Sequence, residues 1–328
     1  MSAISDSARL LVGFLGPPGT FTEEALLGEP DLAASELVPL RSMPDVLAAT
    51  ASGEVDVGFV ALENSIEGTV NVTLDTLAFE ASLLVQREVV ITVDLHLLAP
   101  PGTKLEDIHT VVSFPHATAQ VRGFLGRELP RALTEAANST AEAARQVGET
   151  REPGVAAVGT SLAAELYGLD VLAAGIEDHP ENQTRFVAVA PQGVPAPTGH
   201  DKTTIVCFQQ VDRPGSLLAM LQEFAARAIN LTKLESRPTK RGLGDYCFII
   251  DLEGHVADEL VADCLRDLKA KVADVKFLGS YPAAGAHGET RRRDADAAWR
   301  SADAWVSELR RAVASPAEGW QSGRMRRS

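Results

Sequence analysis

Cysteine is scarce: Cys207, Cys247 and Cys264 are the three in 328 residues, and no two form a C-x-x-C pair. An odd set of this kind supports neither a disulfide framework nor a zinc site, and it fits a reducing compartment. The seven histidines stand singly, without metal-ligand spacing, so no metal is expected. No apolar run is long enough to cross a bilayer. The first such run, residues 10–15, follows Asp6 with no basic stretch before it, so it reads as a buried strand and not as a secretory signal. A cytoplasmic protein with no membrane partner is expected, which leaves the N-x-S/T matches at Asn71, Asn138, Asn182 and Asn230 without a glycosylation role. Positive charge is short as well: 30 Lys and Arg against 45 Asp and Glu give a net charge of −15. That field repels a phosphate backbone and excludes general nucleic-acid binding, so an anionic ligand needs local help.

What is present is ordinary globular material, 45% hydrophobic and 23% charged, long enough for two or three domains at roughly 150 residues each. The first 190 residues alternate β-rich runs with helical patterns, which predicts an α/β fold with strands at 10–15, 36–40, 55–62, 85–98, 110–113, 155–158, 171–173 and 184–190. Thr20 with Glu23 and Ser139 with Glu142 have capping-box spacing, and Pro44 and Pro115 suit first helical turns. A Pro- and Gly-rich stretch around Pro191 to Gly199 has no periodicity and reads as a linker. Beyond it, strands at 203–211, 231–236, 246–252 and 274–278 alternate with helices at 216–228 and 256–271, the β-α-β-β-α-β order of a ferredoxin-like unit. Gly242 and Gly244 mark the central turn, and Leu217, Leu221, Phe224 and Ala228 give the first helix a core-facing stripe. All three tryptophans, Trp299, Trp305 and Trp320, lie after Tyr281, where nine Arg outweigh six acidic residues. An accessory helix through Trp299 and Val313 is expected there, followed by a solvated, disordered tail from Gly319.

Four polar motifs fall at strand ends. Gly16-Pro17-Pro18-Gly19-Thr20 resembles the start of a phosphate loop, but it lacks the lysine, and Glu23 and Glu24 would repel a nucleotide. A tight turn before a helix N-terminus remains, either a carboxylate site or a plain connection. Glu63-Asn64-Ser65-Ile66-Glu67-Gly68-Thr69-Val70 sets a dense polar run at the end of an apolar strand, where open α/β sheets bind ligands. Ser113-Phe114-Pro115-His116 with Gln120 repeats the arrangement. His116 could serve as an acid or base, yet a lone histidine in a first turn more often stays exposed or caps the helix. In Asn182-Gln183-Thr184-Arg185-Phe186, strand alternation puts Thr184 and Phe186 on one face and Arg185 on the other.

Taken together, Gly16 to Thr22, Glu63-Asn64-Ser65 with Glu67 to Val70, and Thr184-Arg185-Phe186 resemble the prephenate dehydratase family in order and spacing. Arg213-Pro214-Gly215-Ser216-Leu217, Asn230-Leu231 and Glu235-Ser236-Arg237-Pro238 look like the ACT module that follows the catalytic domain there. The resemblance covers residues 10–282. It departs from the family at Ala61, where a proline is usual, at Phe114 and His116, and at Ser216, which stands for an alanine. It implies a catalytic domain over 1–192 made of two lobes like those of type II periplasmic binding proteins, with crossings at 85–98 and 178–186. A linker at 193–201, an ACT domain at 202–282 and a helix with a basic tail at 283–328 would follow.

The implied reaction is cofactor-independent loss of water and CO2 from prephenate to give phenylpyruvate, on the route to phenylalanine. Thr184 takes the catalytic place as hydrogen-bond donor at the leaving hydroxyl. Thr20, Thr22, Asn64, Ser65, Thr69, Ser113, Gln120, Arg185 and Phe186 would line the substrate pocket, Phe186 as an apolar wall and Arg185 in an electrostatic or structural part. Gly215, Ser216, Leu217, Asn230, Leu231, Glu235, Ser236, Arg237 and Pro238 would hold phenylalanine as effector. Pairing of ACT modules implies a homodimer or homotetramer. Arogenate dehydratase and a non-catalytic amino-acid sensor are the alternative readings.

Overall fold

The computed structural model describes residues 9–209, 214–239, 245–284 and 304–311. Residues 1–284 form one compact unit and 285–328 a second, in which 304–311 are helical. Arg213, the Gly242/Gly244 turn, Trp299, Val313, Trp320 and the tail from Gly319 lie outside the described residues.

The first lobe is built on a sheet ordered Glu36–Leu40, Leu11–Leu15, Val57–Asn64, Gln183–Ala190, Leu84–Thr92. Its first three strands run parallel, and Gln183–Ala190 inserts antiparallel between its two neighbours. The second lobe has the order Asp170–Ala173, His96–Ala99, Val155–Gly159, Thr110–Ser113, Leu133–Ala136. The expected strand at 85–98 is therefore two strands in two sheets, Leu84–Thr92 and His96–Ala99. The break lies at Val93 to Leu95, where Val93 N donates to Asn182 O and Ile176 N to Leu95 O. These bonds tie the outgoing crossing to the returning one. Leu133–Ala136, unforeseen in the sequence, is an exposed edge strand with no apolar alternation to betray it. Thr20 and Ser139 cap their helices by accepting from Glu23 N and Glu142 N, as their spacing predicts.

The third sheet is antiparallel, ordered Leu231–Pro238, Tyr246–Glu253, Asp201–Gln209, Ala273–Pro282, with helices Ser216–Ala225 and Glu259–Asp267 on one face. Ile205, Cys207, Phe248, Ile250 and Leu252 meet Met220, Phe224, Val261 and Cys264 on that side. Met220 completes the helix stripe, whereas Ala228 lies beyond the helix end at φ 53°.

The opposite face is not free. Val206, Cys247, Ile249, Leu278 and Tyr281 share one core with Val46, Leu47, Leu74, Leu77, Val85, Val187 and Val189 of the first lobe. The linker thus joins two parts of a continuous core, and the central ACT strands read as unbroken apolar runs because both their faces are covered. At Gly279 (φ +139°) an added Cβ would fall 2.5 Å from Val85 O, so only glycine allows the two sheets this approach.

Candidate active site

Antiparallel pairing of Val57–Asn64 with Gln183–Ala190 sets Asn64 directly opposite Thr184. Asn64 Oδ1 accepts from Ile66 N and Glu67 N, both at 3.0 Å. These turn amides fix the orientation of the side chain, so that Nδ2 donates to Thr184 Oγ1 at 2.9 Å. A hydroxyl that accepts from an amide keeps its own hydrogen to donate elsewhere.

Around this pair the lobes meet through polar side chains. Ser65 Oγ accepts from Gln183 N at 2.9 Å and donates to Asn182 Oδ1 at 3.1 Å. Asn182, buried on the returning crossing, donates to Gln120 Oε1 at 3.0 Å. Gln120 Nε2 reaches Glu67 Oε1 at 3.4 Å, and Glu67 Oε2 lies 2.8 Å from His116 Nδ1. Gln120 and His116 ride on the helix Pro115–Gln120 of the second lobe, whereas Asn64, Ser65 and Glu67 belong to the first. Residues more than 110 positions apart are thereby joined in one hydrogen-bonded chain.

A second seam lies at the glycine turn. Thr160 Oγ1 donates to Gly19 O at 2.8 Å and Tyr167 OH to Pro18 O at 2.6 Å. A Cβ on Gly19 would sit 3.1 Å from Ala163, and its φ of +93° independently favours glycine. Sequence reasoning missed Asn182, Glu67, Thr160 and Tyr167 as site or seam residues. Asn182 and Glu67 stood inside motifs it singled out, but Thr160 and Tyr167 carry no local signal beyond a helix cap.

Other expected site residues are placed elsewhere. Thr20 is occupied as a helix cap, donating to Leu15 O and accepting from Glu23 N, and Thr22 is buried in the first turn. Ser113 is wholly buried and donates to Val158 O at 2.8 Å, tying two neighbouring strands of the second lobe's sheet. Phe186 stacks on Phe59 at 5.5 Å within the first lobe's core. Thr69 faces the ACT sheet, donating to Glu235 Oε2 at 2.6 Å and accepting from Lys233 Nζ at 2.9 Å.

Arg185 likewise points to the third sheet. Its Nη1 donates to Asp251 Oδ2 at 2.6 Å, its Nη2 to Tyr281 OH at 2.9 Å, and its Nε lies 2.6 Å from Glu88 Oε2 as an ion pair. Glu88 also receives Lys202 Nζ, and Asp251 also accepts from Thr204 Oγ1. Burial opposes the Arg185 charge, but Asp251, Tyr281 and Glu88 together hold its pKa above the ordinary value. Burial, with Asp251 beside it, pushes the Tyr281 phenol up.

The ACT sheet carries a cavity of about 510 Å³ lined by Gln209, Gly215, Ser216, Leu217, Leu218, Leu221, Ser236, Tyr246 and Phe248. A register shift between Leu231 and Lys233 separates the strand's faces. Ser236, opposite Phe248, points to the cavity, and Glu235 and Arg237 point to the first lobe. There Arg237 bonds Asn71 Oδ1 at 2.7 Å and Asp75 Oδ1 at 2.6 Å. Leu231 packs on the helix-side core, while Asn230 accepts from Glu253 N through its carbonyl and Pro238 pairs with Tyr246, so none of the three lines the cavity.

Comparison with known proteins adds to this picture. The prephenate dehydratase family model matches residues 12–193 and the ACT domain model matches 203–270. The prephenate dehydratase of Mycolicibacterium vanbaalenii is 44% identical over 285 residues, which is 83% of this chain and 90% of that protein. A crystal structure of prephenate dehydratase from Arthrobacter aurescens in complex with L-Phe superposes with a TM-score of 0.80 at 40% identity, covering 92% of this chain and all of that one. GqqA, described as a novel type of quorum quenching acylase, superposes at 0.74 with 29% identity, covering 84% and 98%. Two α/β lobes closing on an Asn64–Thr184 pair, an ACT sheet sharing their core, and these matches lead to one assignment: the chain belongs to the prephenate dehydratase family.

Proposed function

We propose that the chain converts prephenate to phenylpyruvate in the cleft around Thr184, as a cytoplasmic homo-oligomer that phenylalanine regulates through the ACT cavity. The Asn64–Thr184 bond supports this reading most directly, because it leaves one oriented hydroxyl hydrogen free where the two lobes meet. Prephenate loses CO2 from its ring carbon. The electron pair of that bond enters the ring and the C4 hydroxyl departs, taking up a proton to leave as water. Aromatisation makes the reaction strongly downhill, so orientation and a hydrogen-bond donor at the leaving oxygen are what the protein must supply. Thr184 donates to that oxygen as charge builds on it, and Asn64 holds the hydroxyl in place. A threonine alcohol is too weak an acid to give up its proton alone, so a proton reaches the leaving oxygen through water or a neighbouring group. Ser65, Asn182 and Gln120 tie the two lobes together beside this pair.

The L-Phe bound by the Arthrobacter aurescens relative supports phenylalanine as the ligand of the ACT cavity, where Leu217, Leu221 and Phe248 offer apolar contact and Ser236 a polar one. Exposed Leu218, Leu234 and Tyr246 near that cavity suit pairing with a second ACT sheet. Incubation with prephenate at neutral pH, read as phenylpyruvate absorbance in alkali, tests the activity. The expected result is turnover that L-Phe alters, and no turnover above background would leave a sensor. Competition with arogenate separates the two dehydratase readings.

A further inference from the structure

The residue after Thr184 offers an observation the reaction does not use. Strand pairing is regular from Val189 back to Phe186, then shifts: Phe186 faces Ala61 but Arg185 faces Glu63, leaving Leu62 as the extra residue of a β-bulge. Bulges re-aim the side chains beside them, and the neighbours here are Asn64 and Thr184. The Arg185 guanidinium, with its side chain 11% exposed, anchors the bulge to Asp251 and Glu88, both 1% exposed, and to Tyr281. Two of these anchors, Asp251 and Tyr281, belong to the ACT sheet, and Glu88 is itself gripped by Lys202 of that sheet and by the amide of Ala284 just beyond its last strand. The strand that carries Asp251 on its catalytic face carries Tyr246 and Phe248, two walls of the effector cavity.

We propose that Arg185 is a positioning residue: its buried hydrogen bonds to Asp251 and Tyr281 and its ion pair with Glu88 hold the bulge that presents Thr184 and Asn64, and the strand Tyr246–Glu253 transmits effector occupancy to it. The inference rests on the dehydratase reading for its kinetic consequences, though its structural half stands apart from them. The strand is one rigid element to which both sites are attached, so a ligand that shifts it changes where the guanidinium is held. An isolated catalytic domain would lack Asp251 and Tyr281, leaving Arg185 its ion pairs with Glu88 and Glu63. The ACT sheet is on this view part of the catalytic apparatus as well as its regulator.

The test uses the full chain and three variants: Arg185→Lys, Asp251→Asn and, as the mildest, Tyr281→Phe, which removes the bonds to Arg185 Nη2 and Thr204 Oγ1 without touching a charge. Hydrogen exchange of residues 183–190 is followed with and without L-Phe, beside kcat, KM and melting temperature. Expected are faster exchange in that segment for each folded variant, a fall in kcat of about tenfold or more for Arg185→Lys and Asp251→Asn with KM within about threefold, and a smaller fall for Tyr281→Phe. L-Phe should alter exchange at 183–190 in the native chain and not in Asp251→Asn. A merely structural pair would lower the melting temperature yet leave the response to L-Phe intact. Unchanged exchange at 183–190 in Tyr281→Phe and a second folded variant overturns the positioning role. An undiminished L-Phe effect in folded Asp251→Asn overturns the coupling. If the native chain fails to turn over prephenate, the dehydratase reading falls, while the exchange comparison, which needs no substrate, still decides the positioning role.

Discussion

Replacing Thr184 by valine keeps the shape of a strand residue and removes one oxygen, whose accepted bond from Asn64 measures 2.9 Å. Stability should change little. One lost hydrogen bond is worth about 1 kcal/mol, a shift in melting temperature of roughly 2–4 °C for domains of 150–250 residues. Turnover should change a great deal, because removing one preorganised donor at a site of developing charge costs about 10²–10³ in kcat, or roughly 2.7–4 kcal/mol. KM should stay within about threefold, since the donor acts as the hydroxyl leaves. Thr184→Ser retains the oxygen and should lie within about tenfold of the native chain, its loss reflecting freer rotation. Asn64→Ala leaves the hydroxyl without its guide and frees two turn amides, so a loss of about 10–100-fold is expected, between the other two variants. Phenylpyruvate absorbance in alkali measures all three under saturating prephenate. A Thr184→Val enzyme with more than a third of native kcat would refute the donor role, and an Asn64→Ala loss exceeding that of Thr184→Val would refute the order of cause.

Further expectations follow from the same geometry. Burial, reinforced by Asp94, raises the Glu24 carboxyl above its ordinary 4.5, so its stabilising form is the protonated one, present below 4.5 and lost as pH rises through the folded value. Glu24→Gln should therefore melt above the native chain at pH 7 and lose that advantage near pH 4; an equal difference at both would contradict the assignment. Burial pushes the thiols of Cys207 and Cys264 up to about 12 and that of Cys247 to about 11, so a thiol reagent at pH 8 should find all three only after unfolding. Rapid labelling of the folded chain would show that these cores open. Ser236→Trp should abolish L-Phe binding by calorimetry, because it fills the cavity, whereas Arg237→Met should leave L-Phe affinity within about threefold while lowering the melting temperature. Equal losses of affinity in the two variants would mean that the two strand faces have been confused.

The motifs around Asn64, Ser113 and Thr184 were legible because polar residues at the ends of apolar strands are improbable without a reason, and the helix caps because Thr20 and Ser139 stand three residues before glutamates. Local signals of this kind reach only as far as a turn or a strand. They could not say that Thr69 and Arg185 would look toward the ACT sheet, since strand alternation gives two faces without naming what covers each. Nor could they separate Glu235 and Arg237 from Ser236, because the register shift that defines the strand's faces comes from pairing with a distant partner.

The sequence by itself determined the α/β order, the β-α-β-β-α-β module and most strand and helix positions, since these depend on periodicity and on residues read in their own neighbourhood, and its motifs carried the resemblance to the family. Only the tertiary structure decided which motif residues hydrogen-bond across the two lobes, which ones weld the ACT sheet to the first lobe, and which are plain core, as Phe186 is. The physical reason is that burial and ion pairing are properties of surfaces brought together across the chain. Arg185 has the same chemistry whether it meets a substrate carboxylate or Asp251, and the fold alone chose Asp251.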